Sequence, residues 1–267
     1  MKHIVCFSGG KDSTALVLWA KENLPEFTAV FCDTGWEHPI TYAYVEEINQ
    51  SLLAGELVVL KSEKYPGGFV QLSVERKRVP SAMARFCTQE LKVFPMIAWL
   101  KLQDDECTVY QGIRAEESPS RAAMLERQWS DDYDAWVERP LLRWPVAQVF
   151  ELMQRRGVKP NPLYLMGAGR VGCFPCIMVN FRELRAVRSY PDLWEFLKLR
   201  LRDLERRVGR SFWSPDDIPE RFHSGRDKNG KSFCWAEDVF RYLESVDEDQ
   251  LPLLQPRSCM SVYNLCE

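Results

Sequence analysis

The sequence predicts a doubly wound α/β fold, a parallel sheet with helices on both faces, followed by a helical C-terminal region. Three observations predict it. Strand-like and helix-like stretches alternate through the first part of the chain, a Ser-Gly-Gly-Lys-Asp-Ser turn joins the first strand to the first helix, and beyond Cys176 the pattern becomes charged and helical.

Residues 3–7 form a short buried-strand run, and residues 12–22 are helical in pattern. Residues 27–32 are β-branched and aromatic, residues 40–53 helical, and residues 57–60 a further strand candidate. Over residues 90–102, Leu91, Phe94, Ile97 and Ala98 recur at helical spacing, and residues 108–111 return to a strand. Residues 118–139 break the rhythm: they are polar, contain Trp129-Ser130-Asp131-Asp132-Tyr133-Asp134, and read as a loop or flap. Residues 144–156 are helical and end at the Pro160-Asn161-Pro162 breaker. Three charged helices follow, over residues 181–189, 192–207 and 235–244. Leu193, Phe196, Leu197, Leu201 and Leu204 make one apolar stripe; Arg200, Arg202, Arg206, Arg207 and Arg210 could face phosphate, but at net negative charge they read as the solvated face beside it. The change of character places a boundary near residue 177, dividing an α/β domain (1–177) from a helical region with a cysteine-containing tail (178–267).

The composition is that of a globular protein: 46% hydrophobic and 27% charged residues in 267, enough to bury a substantial core. A net charge of -3 argues against a broad basic face that would hold a duplex by phosphate neutralisation, so nucleic acid is not indicated as a partner, although a local basic groove is compatible with it. No apolar run approaches the roughly 18 residues that span a bilayer, which excludes a membrane partner. The apolar run ending at Phe7 is too short for a secretory signal, so a cytoplasmic location is expected. Nine cysteines then point to metal ligation or catalysis rather than disulfides. Cys6, Cys32 and Cys107 lie in apolar, β-rich runs and read as small core residues.

Ser8-Gly9-Gly10-Lys11-Asp12-Ser13 follows a strand and opens a helix, the context of a phosphate-cradling loop. Two glycines let backbone N–H groups approach phosphate, and Lys11 adds a point charge. Val5 and Asp12 stand where a Walker A loop needs Gly and Ser or Thr. The hexapeptide instead resembles the PP-loop of ATP pyrophosphatases and sulfonucleotide reductases. Phe31-Cys32-Asp33-Thr34-Gly35, followed by Glu37-His38-Pro39-Ile40-Thr41-Tyr42, resembles the Asp-Thr-Gly segment of the reductase branch. The segment from Gly112, Ile113 and Arg114 through Glu116 and Glu117 to Ser118 and Arg121 resembles the one by which these enzymes hold the anionic end of the nucleotide.

The chain therefore resembles the phosphoadenosine phosphosulfate (PAPS) reductase family of the PP-loop superfamily. That resemblance implies an adenine nucleotide α-hydrolase-like fold and nucleotide contacts at Ser8, Gly9, Gly10, Lys11, Asp12, Ser13, Asp33, Gly112, Arg114, Ser118 and Arg121. Lys11 and Asp12 are the catalytic candidates. Asp12 would help hold Mg²⁺, orient Lys11, or simply charge the helix N-terminus. Glu116 and Glu117 would complete a magnesium site or remain solvated loop carboxylates.

Gly172-Cys173-Phe174-Pro175-Cys176 is a C-x2-C turn closed by glycine and proline. With the preceding Pro162-Leu163-Tyr164 and Gly167, it resembles the segment leading to the second cysteine pair of iron–sulfur adenylyl-sulfate reductases. Those enzymes also carry an adjacent Cys-Cys; here Cys87 is followed by Thr88, a pattern similar to ATP-using members such as the DNA phosphorothioation enzymes. The resemblance thus implies Cys87, Cys173 and Cys176 as ligands of a 4Fe-4S cluster, with zinc as the rival metal. Cys259 is the candidate fourth ligand; Cys266, Cys234 or an open position are the alternatives.

Three functions are compatible with these residues. In the first, ATP is cleaved to AMP and pyrophosphate with Mg²⁺, activating a substrate for sulfur transfer, with a sulfur donor protein as partner. In the second, adenylyl sulfate or PAPS is reduced to sulfite. In the third, the domain is a non-catalytic nucleotide-binding regulatory module. The Glu-Cys-Gly-x-His motif of the reductases does not occur, which with Thr88 favours the first. Oligomeric state is left open. Trp129, Trp136, Trp144, Trp194, Trp213 and Trp235 could offer a stacking platform for bases, but Trp144 and Trp194 occupy core-like helix positions.

Overall fold

The computed structural model describes residues 1–246. Strand β1 (Lys2–Cys6) leads into α1 (Lys11–Asn23), then β2 (Thr28–Cys32), α2 (Pro39–Leu52), β3 (Val58–Leu60) and α3 (Gly68–Glu75). A helix begins as α4 (Phe86–Thr88), passes through a π-helical turn at Gln89–Val93 and continues as α5 (Phe94–Leu100). After β4 (Cys107–Tyr110) come a short helix α6 (Pro119–Ala122), strands β5 (Arg127–Ser130) and β6 (Ala135–Glu138), and α7 (Val146–Arg155). The C-terminal region contains α8 (Phe181–Arg188), α9 (Pro191–Val208), the two-stranded β7 (Gly225–Arg226) and β8 (Ser232–Phe233), and α10 (Ala236–Ser245).

The six-stranded sheet has the order β3-β2-β1-β4-β6-β5, with β5 antiparallel to β6 and every other pair parallel. The winding leaves β1 in one direction toward β3 and in the other toward β6. The reversal falls between β1 and β4, and a crevice opens beyond their carboxyl ends. Strand periodicity builds the two faces: Ile4, Val30 and Val109 join one core cluster with Val93 and Met96, while their neighbours Val5, Phe31 and Tyr110 join another with Leu16, Ile48 and Leu152. The doubly wound fold is thus as the sequence predicts.

Residues 118–139 differ from the expected loop. Ala135 and Val137 are buried and β6 is an inner strand of the sheet, paired with β4 on one side and β5 on the other. The apolar alternation is only one and a half periods long and follows a polar turn, so burial comes from the strand's neighbours rather than from its own pattern. Trp129 and Trp136 sit edge to face across this hairpin, 5.5 Å apart and partly exposed.

The predicted C-terminal helices form. Leu193, Leu197, Leu201 and Leu204 of α9 pack with Val239, Phe240 and Leu243 of α10, and the same cluster takes in Trp36, Phe69, Leu91 and Leu163. The helical region is therefore packed onto the loops that follow β2 and α7. No helix among the described residues is long and apolar enough to cross a membrane.

Candidate functional site

The turn after β1 is built to leave its backbone bare. Gly9 has φ +77°, and a Cβ there would stand 2.9 Å from Val45 Cγ2, so both conformation and space call for glycine. The Ser8 N–H donates to Ser13 Oγ at 3.1 Å, and Ser13 Oγ in turn donates to Gly10 O at 3.0 Å, closing the turn on the first residues of α1. Asn161, completely buried, donates from Nδ2 to Gly9 O at 3.3 Å, and Tyr164 accepts from the Lys11 N–H at 3.0 Å. The Pro160-Asn161-Pro162 segment, which the sequence offers only as a helix breaker, supports the phosphate turn from behind.

Asp12 is fully buried beneath this turn. One carboxylate oxygen accepts from Lys11 Nζ at 2.7 Å and the other from Arg114 Nε. Arg114 also donates to Glu116 Oε2 at 2.7 Å, and Arg121 donates to Glu117. Burial opposes the charge on Arg114, but the Asp12 carboxylate beside it outweighs burial and holds its pKa above the ordinary value. Of the roles expected for Asp12, the geometry displays the orienting one, extended to Arg114. Glu116 and Glu117 are engaged by arginines. Gly112 lets β4 and α1 meet, since a Cβ there would stand 2.9 Å from Asp12 O. Ser118 caps α6, accepting from the Arg121 N–H at 3.2 Å.

A cavity lies in the crevice, lined by Ser8, Ser13, Cys32, Gln111, Gly112 and Lys92 among others. Cys6, Cys32 and Cys107 pack against the core as expected, and the first two also border this cavity. Gln111 is 3% exposed, and its side-chain oxygen has no hydrogen-bond partner among the described residues. Asp33 stands at the end of β2, beside the cavity rather than in its lining. Its carboxylate accepts from Tyr42 at 2.6 Å and from the Gly35 N–H at 2.8 Å, with Lys61 Nζ 2.9 Å away. Burial alone would raise its pKa; the Tyr42, Lys61 and Gly35 contacts prevail and lower it.

Cys87, Cys173 and Cys176 line a second cavity, with Lys92, Arg170 and Gly172. Cys87 comes from α4 and the other two from the C-x2-C turn, which is pinned by Phe174 N–H donating to Trp36 O at 2.8 Å and by Trp36 Nε1 donating to Pro175 O at 3.0 Å. Burial pushes the Cys87 thiol up to about 11 and the Cys173 thiol up to about 12. No group of three His, Cys, Asp or Glu side chains among the described residues converges tightly enough to hold a single metal ion. The three thiols border one cavity. Cys234 is not with them: it lies against Trp213 O at 3.8 Å in a different cleft, packed as a core thiol, which removes it as a fourth ligand in this arrangement. Cys259 and Cys266 lie outside the described residues.

Lys92 links the two cavities, and Glu37 and Arg200 pack beside it and Cys173. Lys92, in the π-helical turn, borders both; burial depresses its pKa, but Cys173, Glu37, Cys32 and Cys176 outweigh this and raise it. Glu37, 3% exposed, accepts from Thr34 Oγ1 at 2.7 Å and Tyr42 at 2.9 Å and lies 3.9 Å from Cys173 Sγ. Arg200, expected on a solvated face, lies 3.9 Å over the Trp36 ring and donates to Glu37 O at 2.9 Å. Glu37 stands in the Glu37–Tyr42 segment of the family resemblance and Arg200 in the arginine series of α9, but neither contact is readable from the sequence.

Comparison with known proteins follows the same outline. The family described as phosphoadenosine phosphosulfate reductase domain matches residues 2–179. An uncharacterized 37.8 kDa protein of Escherichia phage 186 is 36% identical over 69% of this chain and 70% of its own. An uncharacterized protein of Methanocaldococcus jannaschii is 28% identical over 80% of this chain, which spans about half (52%) of that protein's length. The adenosine 5′-phosphosulfate reductase of Geobacillus kaustophilus is 24% identical over 63% of this chain and 70% of its own. Among solved structures, the phosphoadenylyl-sulfate reductase of Candida auris, a phosphate complex, superposes with a TM-score of 0.52 at 18% identity, over 66% of this chain and 83% of its own. That likeness extends to the fold.

Proposed function

The chain belongs to the phosphoadenosine phosphosulfate reductase domain family, and from that premise we propose that it binds ATP in the β1/β4 crevice and cleaves it to AMP and pyrophosphate, activating a substrate for sulfur transfer. One observation carries the proposal: the crevice cavity and the cysteine cavity share Lys92 and Gly172 as a common wall. A nucleotide's reacting end and a thiolate cage would be held side by side.

In the proposed reaction an oxygen of the substrate attacks the α-phosphorus, the bond to the α,β-bridging oxygen breaks and pyrophosphate leaves; a sulfur nucleophile from the donor protein then attacks the adenylylated substrate, and AMP departs with the substrate oxygen. The backbone amides of Gly9 and Gly10 and the Lys11 ammonium would take up the charge developing on the departing oxygens. Asp12 fixes Lys11 for that purpose, and Mg²⁺ would accompany the triphosphate. Arg114 and Arg121 would offer planar forks to phosphate oxygens, exchanging part of their present carboxylate contacts. Cys87, Cys173 and Cys176 would hold an iron–sulfur cluster, which when bound supplies a sulfur-binding centre beside the nucleotide. Lys92 would balance its charge. Cys259 remains the proposed fourth ligand.

The orphaned oxygen of Gln111 suits the exocyclic amine of adenine, a donor that hypoxanthine lacks. Gln111→Leu is expected to lower ATP affinity about tenfold and leave ITP affinity unchanged, measured by calorimetry. An unchanged ATP affinity removes Gln111 from base recognition.

Incubating anaerobically purified protein with ATP, adenylyl sulfate and PAPS in parallel decides the reaction. Pyrophosphate release from ATP supports the proposal. Sulfite from either sulfonucleotide replaces it with the reductase reading, and tight binding without turnover replaces it with a regulatory one.

A further inference from the structure

Away from both cavities, a cleft of about 670 Å³ opens between the loop after α3 and the C-terminal helical region. Lys77 and Arg78, from the loop after α3, and Arg210 and Lys231, from the C-terminal region, line it together with Phe233 and Trp235. All four cations are exposed, and none of their side chains makes an ion pair or hydrogen bond among the described residues. The arginines of α9 are engaged: Arg200 lies on Trp36, Arg202 pairs with Glu237, and Arg206 and Arg207 pair with Asp203. The one acidic lining residue among the described residues, Asp227, turns its carboxylate to the N–H groups of Asn229 and Lys231, at 2.8 and 2.9 Å, to shape the β7–β8 turn.

Phe233 and Trp235 are half-buried, 6.2 Å apart at 73°, so each presents a ring face or edge in the cleft. Cations and aromatic rings lining one cleft match a flexible phosphodiester chain, whose charges need neutralising and whose unpaired bases need surfaces on which to stack. A duplex offers no free base faces to the rings, and an acidic peptide gives them nothing to do. Ser81 and Ala84 pair backbone to backbone, at 3.0 and 3.2 Å, so the cleft wall at Ser81 and the cysteine-cavity wall at Arg85 are the two ends of one tight turn.

We propose that this cleft binds single-stranded nucleic acid. The proposal stands on the cleft alone and does not require any particular reaction in the crevice. Its test uses the full chain and fluorescein-labelled oligonucleotides of about 12 nucleotides, as DNA and as RNA, read by fluorescence anisotropy across a salt series. Binding of either single strand is expected, and the tighter of the two identifies the sugar preferred. Arg210→Ala with Lys231→Ala should weaken it roughly tenfold and make the slope of log K against log salt shallower by about 1.4. Phe233→Leu should weaken it roughly tenfold with the salt slope unchanged. Both variants should keep the wild-type melting temperature and ATP affinity, which separates loss of this surface from misfolding or damage to the crevice. Equal binding by wild type and both variants overturns the assignment, as does equal competition by duplex DNA or polyglutamate.

Discussion

Asp12→Ala is expected to lose about 3–5 kcal/mol of folding stability and to weaken ATP binding at least about a hundredfold. Asp12 is wholly inaccessible to water, while Lys11 and Arg114, both nearly buried, each direct a donor at one of its oxygens. Removing the carboxylate strips two nearly buried cations of their shared anion, leaving Arg114 with Glu116 alone of the two carboxylates it holds, and the cost is that of under-compensated buried charge rather than of one lost hydrogen bond. The phosphate turn is affected as well, because Lys11 takes its position from Asp12. Chemical denaturation and calorimetry with ATP measure the two effects. Asp12→Asn, which keeps the shape and one acceptor, should fall between wild type and alanine in both. If alanine leaves the denaturation midpoint in place and alters only the magnesium dependence, Asp12 is a metal ligand and not the organiser of the turn.

Cys173→Ser should abolish the visible absorption of anaerobically reconstituted protein and most of its bound iron, with ATP affinity changed no more than a few-fold. Cys173 lines the cysteine cavity and is absent from the lining of the crevice, which is why the two readouts separate. Serine matches the thiol in size but is a much poorer ligand for iron, so packing is retained while ligation is lost. Wild-type protein that instead binds one zinc per chain and shows no dithionite-bleachable absorption would replace the cluster with a structural metal site. Wild-type protein that binds neither metal would remove the proposed centre.

What the sequence discloses about this site is local, and what it hides is assembled at a distance. The phosphate turn is legible because its glycines, lysine and flanking strand are consecutive, and Cys173 and Cys176 because a C-x2-C turn needs only four residues. Cys87 is legible through its family frame. Gln111 carries no pattern, being a polar residue at the end of a buried strand, and Glu37, though inside the family segment, is given no role by it; each matters because of what the fold places opposite it. Arg114 and Arg121 stand out through the family segment, but the pairing of Arg114 with Asp12 becomes visible only when β4 is laid beside α1. Strand β6 is hidden for a related reason: a four-residue alternation is too short to stand out from the polar turn before it.

Arg200 couples the site to the helical phase of a distant element. Its guanidinium covers the indole of Trp36 and holds the carbonyl of Glu37, 163 positions earlier in the chain. An α-helix turns about 100° per residue, so a single insertion in α9 ahead of Arg200 would rotate that side chain off the indole while leaving the helix intact. Length changes beyond Gly209, where the helix has already ended in a left-handed cap, impose no such rotation. Variation in chain length near the C-terminal helices should therefore be confined to the far side of that glycine, with the first three turns of α9 fixed in register by a loop they never meet in sequence.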